Sequence, residues 1–194
     1  SQIRAFHSEF PGATSRAKQE QLKRVCPLGM SYVEWKIGKV QFPQAMVSYT
    51  WEMDWDVMIC FLLSKLGKEG VVWLDLLACD QNRIADGDMR EIEQLPAVIG
   101  YIGNTLVMPG TLPRLWCLFE MAYSLVHNSQ FSYYEHDAGV TGASTERLLA
   151  QDRKQLALDP KELLDTAKCY NPSDRNFILS LLDTHFESRC DAAN

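Results

Sequence analysis

The sequence predicts an α/β fold, a parallel sheet of about five strands with helices on both faces, on three observations. Short β-prone apolar runs recur along the middle of the chain at 45–49 (AMVSY), 71–74 (VVWL), 104–108 (NTLVM) and 131–134 (FSYY). Helix-period segments separate the first three, the clearest being 55–66 (WDVMICFLLSKL), which Gly67 ends. The 194 residues, 46% of them hydrophobic, suffice for one substantial core. Strands alternating with helices pair in parallel, and right-handed crossovers place helices on each side of the sheet.

Residues 1–43 read as an extension laid against a domain that spans 44–194. Ser15 to Val25 is a polar helix stopped by Cys26-Pro27-Leu28-Gly29, and Tyr32, Trp35 and Ile37 are packing candidates beyond it. A polar aromatic loop, Trp51 to Asp54, follows the first strand. Asp75 closes the second, an acidic loop runs on to Asp88, and a helical piece from Met89 is interrupted by Pro96. The third strand feeds a helix read as Thr111 to Leu125, with Pro113 in its first turn and Leu115, Leu118, Phe119, Ala122 and Leu125 as a buried stripe. Glu135-His136-Asp137 is a polar turn after the fourth strand. Further on, Ser144 or Thr145 opens a helix through Leu156, Asp159 to Glu162 forms a capping box with Pro160 first in the helix, and Ser173 or Asp174 opens a final amphipathic helix. The stretch 155–158 reads equally as a brief fifth strand or a helix end. The expected strand order is flavodoxin-like.

The helix after the third strand carries the candidate chemistry. Glu120 sits within its apolar run, and Trp116 and Cys117, four and three residues earlier, share its face. A carboxylate beside an indole and a thiol is costly to bury unless something pairs with it, which makes Glu120 a candidate functional group. The alternative is a solvated glutamate at the edge of the stripe.

Composition narrows the classes. A formal charge of −6 and a pI near 5.2 disfavour a nucleic-acid partner. Six cysteines without a CxxC pair and four scattered histidines indicate neither a metal site nor a disulfide framework. The longest apolar run, Val57 to Leu63, is too short to span a bilayer, no signal peptide opens the chain, and the expectation is a cytoplasmic protein in a reducing compartment without a membrane partner. There is no GxxxxGK[ST], GxGxxG, GxSxG or HExxH. The acidic stretch 80–88 fits no calcium-loop register.

The succession MVSYTW, VVWLDLLACDQ and NTLVMPGTLPRLWCLFEMAYSL resembles a TIR (Toll/interleukin-1 receptor) domain over about 44–134. Its most specific element, Trp116-Cys117-Leu118-x-Glu120-Met121, is similar to the WCLxEL helix of plant immune-receptor TIR domains. The resemblance implies a signalling or defence role, self-association through TIR-type surfaces and, in many members, cleavage of NAD at the nicotinamide–ribose bond, giving nicotinamide and ADP-ribose or a cyclic variant. NAD is then substrate, and no cofactor is implied. Carried over, the catalytic role falls on Glu120, with Trp116 lining the same cleft. The loop after the second strand is acidic, unlike the plant version, and leaves Arg83 and Arg114 as candidates for the pyrophosphate.

The chemistry needs few groups. Nicotinamide in NAD is cationic and departs neutral, so no general acid is required, and one carboxylate that holds the ribose hydroxyls and stabilises oxocarbenium-like charge supplies much of the effect. Open parallel sheets place ligands beyond the carboxyl ends of their strands. That puts Tyr49, Trp51 and Asp75 at the crevice, the two aromatics as candidates for stacking on a base, and Cys117 beside them. Two alternatives stand: a non-catalytic TIR-like interaction module, and a nucleoside deoxyribosyltransferase-like enzyme with Glu120 as nucleophile.

Overall fold

The sheet has four strands among the described residues, β1 (Ala45–Ser48), β2 (Val72–Trp73), β3 (Asn104–Val107) and β4 (Gln130–Tyr133), in the order β2-β1-β3-β4 with every pairing parallel. This computed structural model describes residues 2–11, 14–39, 41–86, 90–134, 143–169 and 172–192. The order is that of a flavodoxin-like α/β sheet, with β1 at its centre between the Val72 and Asn104 strands. A fifth strand is not found at 155–158. Those residues end a helix, Leu156 N–H donating to Asp152 O at 2.9 Å and Leu158 N–H to Gln155 O at 3.1 Å.

Register divides the core in two. Val47 lies opposite Leu106, and both, with Ala45, pack beneath helix α3 (Trp55–Leu66) and beside Leu148 and Leu149 of α9 (Ala143–Gln155). Met46 and Val107 face the other way, towards α7 (Leu95–Ile102), α8 (Leu115–Val126) and α11 (Pro172–Ala192). Side chains alternate along a strand, so a central strand buried on both faces must be apolar or satisfied throughout. All of β1 is buried, and Thr105 of β3 meets this demand by sharing a 2.7 Å hydrogen bond with Ser124 of α8.

The amino-terminal residues join the first core cluster. Phe6 of α1 (Gln2–Glu9), Phe10, Leu22 of α2 (Ser15–Val25) and Tyr32 pack with Trp55, whose indole N–H donates to Ser15 Oγ at 2.7 Å. Lys18 is fully buried there, its ammonium donating to Phe10 O at 2.5 Å and lying 5.1 Å from the Trp55 ring centroid.

Several element boundaries differ from the sequence reading. Helix α8 starts at Leu115, because residues 111–114 form a turn and Arg114 bridges in parallel to Lys168. Pro113 therefore precedes the helix, and Leu125 is exposed rather than part of a buried stripe. The expected acidic loop contains two short helices, α4 (Asp75–Ala78) and α5 (Gln81–Ala85), the second capped by Asp80, whose carboxylate accepts from Asn82 N–H at 3.0 Å. Pro96 occupies the first turn of α7, after a separate short helix α6 (Arg90–Glu93). The expected cap at Asp159 is present, accepting from Glu162 N–H at 2.9 Å at the start of α10 (Pro160–Thr166). Gly87, Asp88, Met89 and the Glu135-His136-Asp137 turn lie outside the described residues.

Candidate functional site

The sheet reverses its order at β1, because β2 lies on one side and β3 on the other, and a crevice opens beyond the carboxyl ends of these strands. A cleft of about 740 Å³ occupies that position. Tyr49 and Trp51 enter it after β1, Trp73 and Asp75 at the end of β2, and Arg114, Trp116, Cys117 and Glu120 from the start of α8. The turn that launches α8 is fixed by Asp152 of α9. That buried carboxylate accepts from Gly110 N–H at 2.6 Å, Leu112 N–H at 3.0 Å and the Tyr133 hydroxyl at 2.5 Å. Gly110 has a φ of +87°, and a Cβ there would lie 2.7 Å from Leu148 Cδ2, so the turn takes glycine for its handedness and for space.

Glu120 is 8% exposed, which excludes the solvated-edge alternative. Among the described residues neither Glu120 nor Asp75 forms an ion pair. Burial, and then the charge of Asp75, push the Glu120 carboxyl up to about 8, against a weaker opposing pull from the Ser48 hydroxyl. Ser48 itself, fully buried on β1, has no hydrogen-bond partner of regular geometry for its Oγ. Burial likewise raises the Asp75 carboxyl, while hydrogen bonds from Tyr49 and the Leu76 N–H pull it back. The Tyr49 hydroxyl donates to Asp75 Oδ1 at 2.6 Å, and the Leu76 N–H reaches the same oxygen at 2.6 Å. Cys117 Sγ donates to Tyr49 O at 3.3 Å, and its thiol is held far above the usual range, first by burial and then by Glu120. Such a thiol is no nucleophile at neutral pH.

Seven of the eight residues singled out from the sequence line this one cleft: Glu120, Trp116, Cys117, Tyr49, Trp51, Asp75 and Arg114. Arg83 does not. Its side chain is half exposed and lies 3.5 Å from the Asp80 carboxylate that caps α5, turned away from the cavity. Tyr49 also departs from the expected stacking role, since it is buried and its hydroxyl is committed to Asp75. Trp116 is half-buried, with its ring edge-on to Phe119 at 5.6 Å and its indole N–H 3.4 Å from Asp174 Oδ2.

Sequence reasoning missed the walls that two other helices contribute. Gln19, Glu20 and Lys23 come from α2, and Asp174 and Phe177 from α11. Gln19 Nε2 donates to Gln81 Oε1 at 2.7 Å, and Gln81 Nε2 to Asp75 O at 2.9 Å, so a buried amide pair ties α2 to α5 and to the start of α4. Only the helical spacing of Gln19 and Lys23 on a polar helix hinted at a shared face. A second groove of about 650 Å³ runs along the outer edge of β2, but its charged side chains, Glu34, Lys39, Lys68 and Glu69, all belong to exposed residues and converge on nothing.

No protein-family model, curated protein or solved structure matches the chain. A buried carboxyl group and a second, half-buried one face a cavity with several aromatic walls, a combination suited to a cationic or oxocarbenium-like centre flanked by a planar ring. Among the described residues no group of three or more His, Cys, Asp or Glu side chains is placed to hold a metal ion, and no helix is long and apolar enough to cross a membrane.

Proposed function

We propose that the chain is a TIR-type NAD nucleosidase that acts in signalling or defence, cleaving the nicotinamide–ribose bond to give nicotinamide and ADP-ribose or a cyclic variant. The observation that carries the reading is the buried, unpaired Glu120 beside Trp116, in a cleft at the reversal point of the sheet. In hydrolysis, water adds to the ribosyl carbon, the bond to the pyridinium nitrogen breaks with its electron pair moving onto the ring, and a proton is released. Glu120 needs to be ionised to stabilise the ribosyl cation. With its carboxyl near 8, much of it carries a proton at pH 7. The pyridinium charge of NAD favours the carboxylate and so draws Glu120 towards ionisation as substrate binds. Asp75, held by Tyr49 and the Leu76 N–H, is a positioning and electrostatic neighbour in this scheme.

Incubating the full chain with NAD and following nicotinamide by chromatography tests the reading. Nicotinamide released in step with ADP-ribose or its cyclic form supports it, and unchanged NAD at high protein concentration refutes it. One observation favours the second reading, a non-catalytic self-association module: Phe42 and Tyr101, 59% and 71% exposed, pack at a tilt with ring centroids 4.8 Å apart on the surface. Sedimentation of the parent and of Tyr101→Ser distinguishes them, because a module built on this pair loses its oligomer on substitution and a nucleosidase without it does not.

A further inference from the structure

The cleft is electrically lopsided. Among the described residues five acidic side chains line it, and its two basic ones are Lys23 and Arg114. A ligand carrying negative charge has these two cations as its counterparts. Lys23 is not committed elsewhere. Its contact is to Glu20 at 3.6 Å, an i,i+3 pair whose glutamate is mostly solvated and which solvent screens heavily. Arg114 forms no ion pair among the described residues, and its backbone is fixed by the bridge to Lys168. Lys23 stands one turn after Gln19 on α2, and the Gln19–Gln81 hydrogen bond anchors that face of the helix against the cleft.

We propose that the amino-terminal helix α2 completes the ligand site, with Lys23 and Arg114 together binding the diphosphate of a nucleotide whose ribosyl end lies at Glu120. This rests on the NAD-cleaving reading for the orientation of the ligand, and on the charges of the cleft for the anion site itself. Lys23 is then a specificity-determining residue contributed from outside the α/β body, and the cleft selects nucleoside diphosphates over nucleosides.

Calorimetric titration of the full chain with ADP, and separately with adenosine, tests it on the parent, Lys23→Gln and Arg114→Gln. The expected result is that ADP binds the parent more tightly than adenosine does, that each substitution weakens ADP at least tenfold, and that adenosine binding is unchanged. Thermal melts of the variants guard against misfolding, and Lys23→Arg restores ADP binding by keeping the charge. ADP binding that is absent from the parent, or equal in the parent and Lys23→Gln, overturns the proposal. Lys23-dependent ADP binding in a chain that releases no nicotinamide leaves the anion site standing and removes the NAD-cleaving reading. NAD cleavage with the same KM in the parent and Lys23→Gln does the reverse.

Discussion

Replacing Glu120 by glutamine should stabilise the protein, and do so more as the pH rises. The carboxyl ionises near 4.5 in the unfolded chain and near 8 in the folded one. Between those values the folded state holds a proton that the unfolded state has lost, so Glu120's contribution to stability falls as pH rises through this window and stays low above it. At about 1.36 kcal/mol per pH unit, the full penalty has an upper bound of about 5 kcal/mol, and relaxation around the charge brings the observable part to about 2–3 kcal/mol. Glutamine keeps the shape and has no such titration. Urea unfolding of the parent and Glu120→Gln at pH 5, 7 and 9, with equal m values, should show a difference near zero at pH 5 that grows to about 2–3 kcal/mol in favour of the variant at pH 9. A difference constant to within about 0.5 kcal/mol across the range would mean that Glu120 is solvated or paired, and the electrostatic account of the site would fail.

Three further outcomes follow from the same geometry. Asp75→Asn removes the charge that helps to raise Glu120, so the acid limb of the kcat/KM profile for NAD should move to lower pH, and a limb that stays in place or moves up would count against the coupling. Asp152→Ala strands the Gly110 and Leu112 N–H groups and the Tyr133 hydroxyl, and should cost about 3–5 kcal/mol in urea unfolding, against under 1 kcal/mol if the turn relaxes freely. Gly110→Ala meets both a left-handed φ and the Leu148 contact, and a loss of about 1–3 kcal/mol is expected; a neutral result would show that the turn before α8 is soft.

The fold was legible where local physics decides it. The β1 and β3 runs are apolar because both faces of a central strand are buried, and the Trp55 helix follows an Asp54 cap and ends at Gly67. Glu120 stood out because a carboxylate inside an apolar helix needs a reason. The start of α8 was misread because Pro113 suits a helical first turn, whereas here its carbonyl accepts from Lys168 N–H at 2.8 Å, a contact across 55 residues that no local pattern reveals. Lys23, Gln19 and Asp174 could not be placed at the site for the same reason, since their position in the cleft depends on how α2 and α11 dock. The capping propensity of Asp80 was readable in principle and would have turned Arg83 away from the site.

The most direct test of the central claim is the rate of nicotinamide release from NAD by the full chain and by Glu120→Gln, compared at pH 8 and equal concentration. A carboxylate that stabilises the ribosyl cation predicts turnover by the parent and a loss of about a hundredfold or more in the variant, with urea unfolding as the check that the variant is folded. Equal rates in the two proteins, or no release by the parent at any concentration, would contradict it.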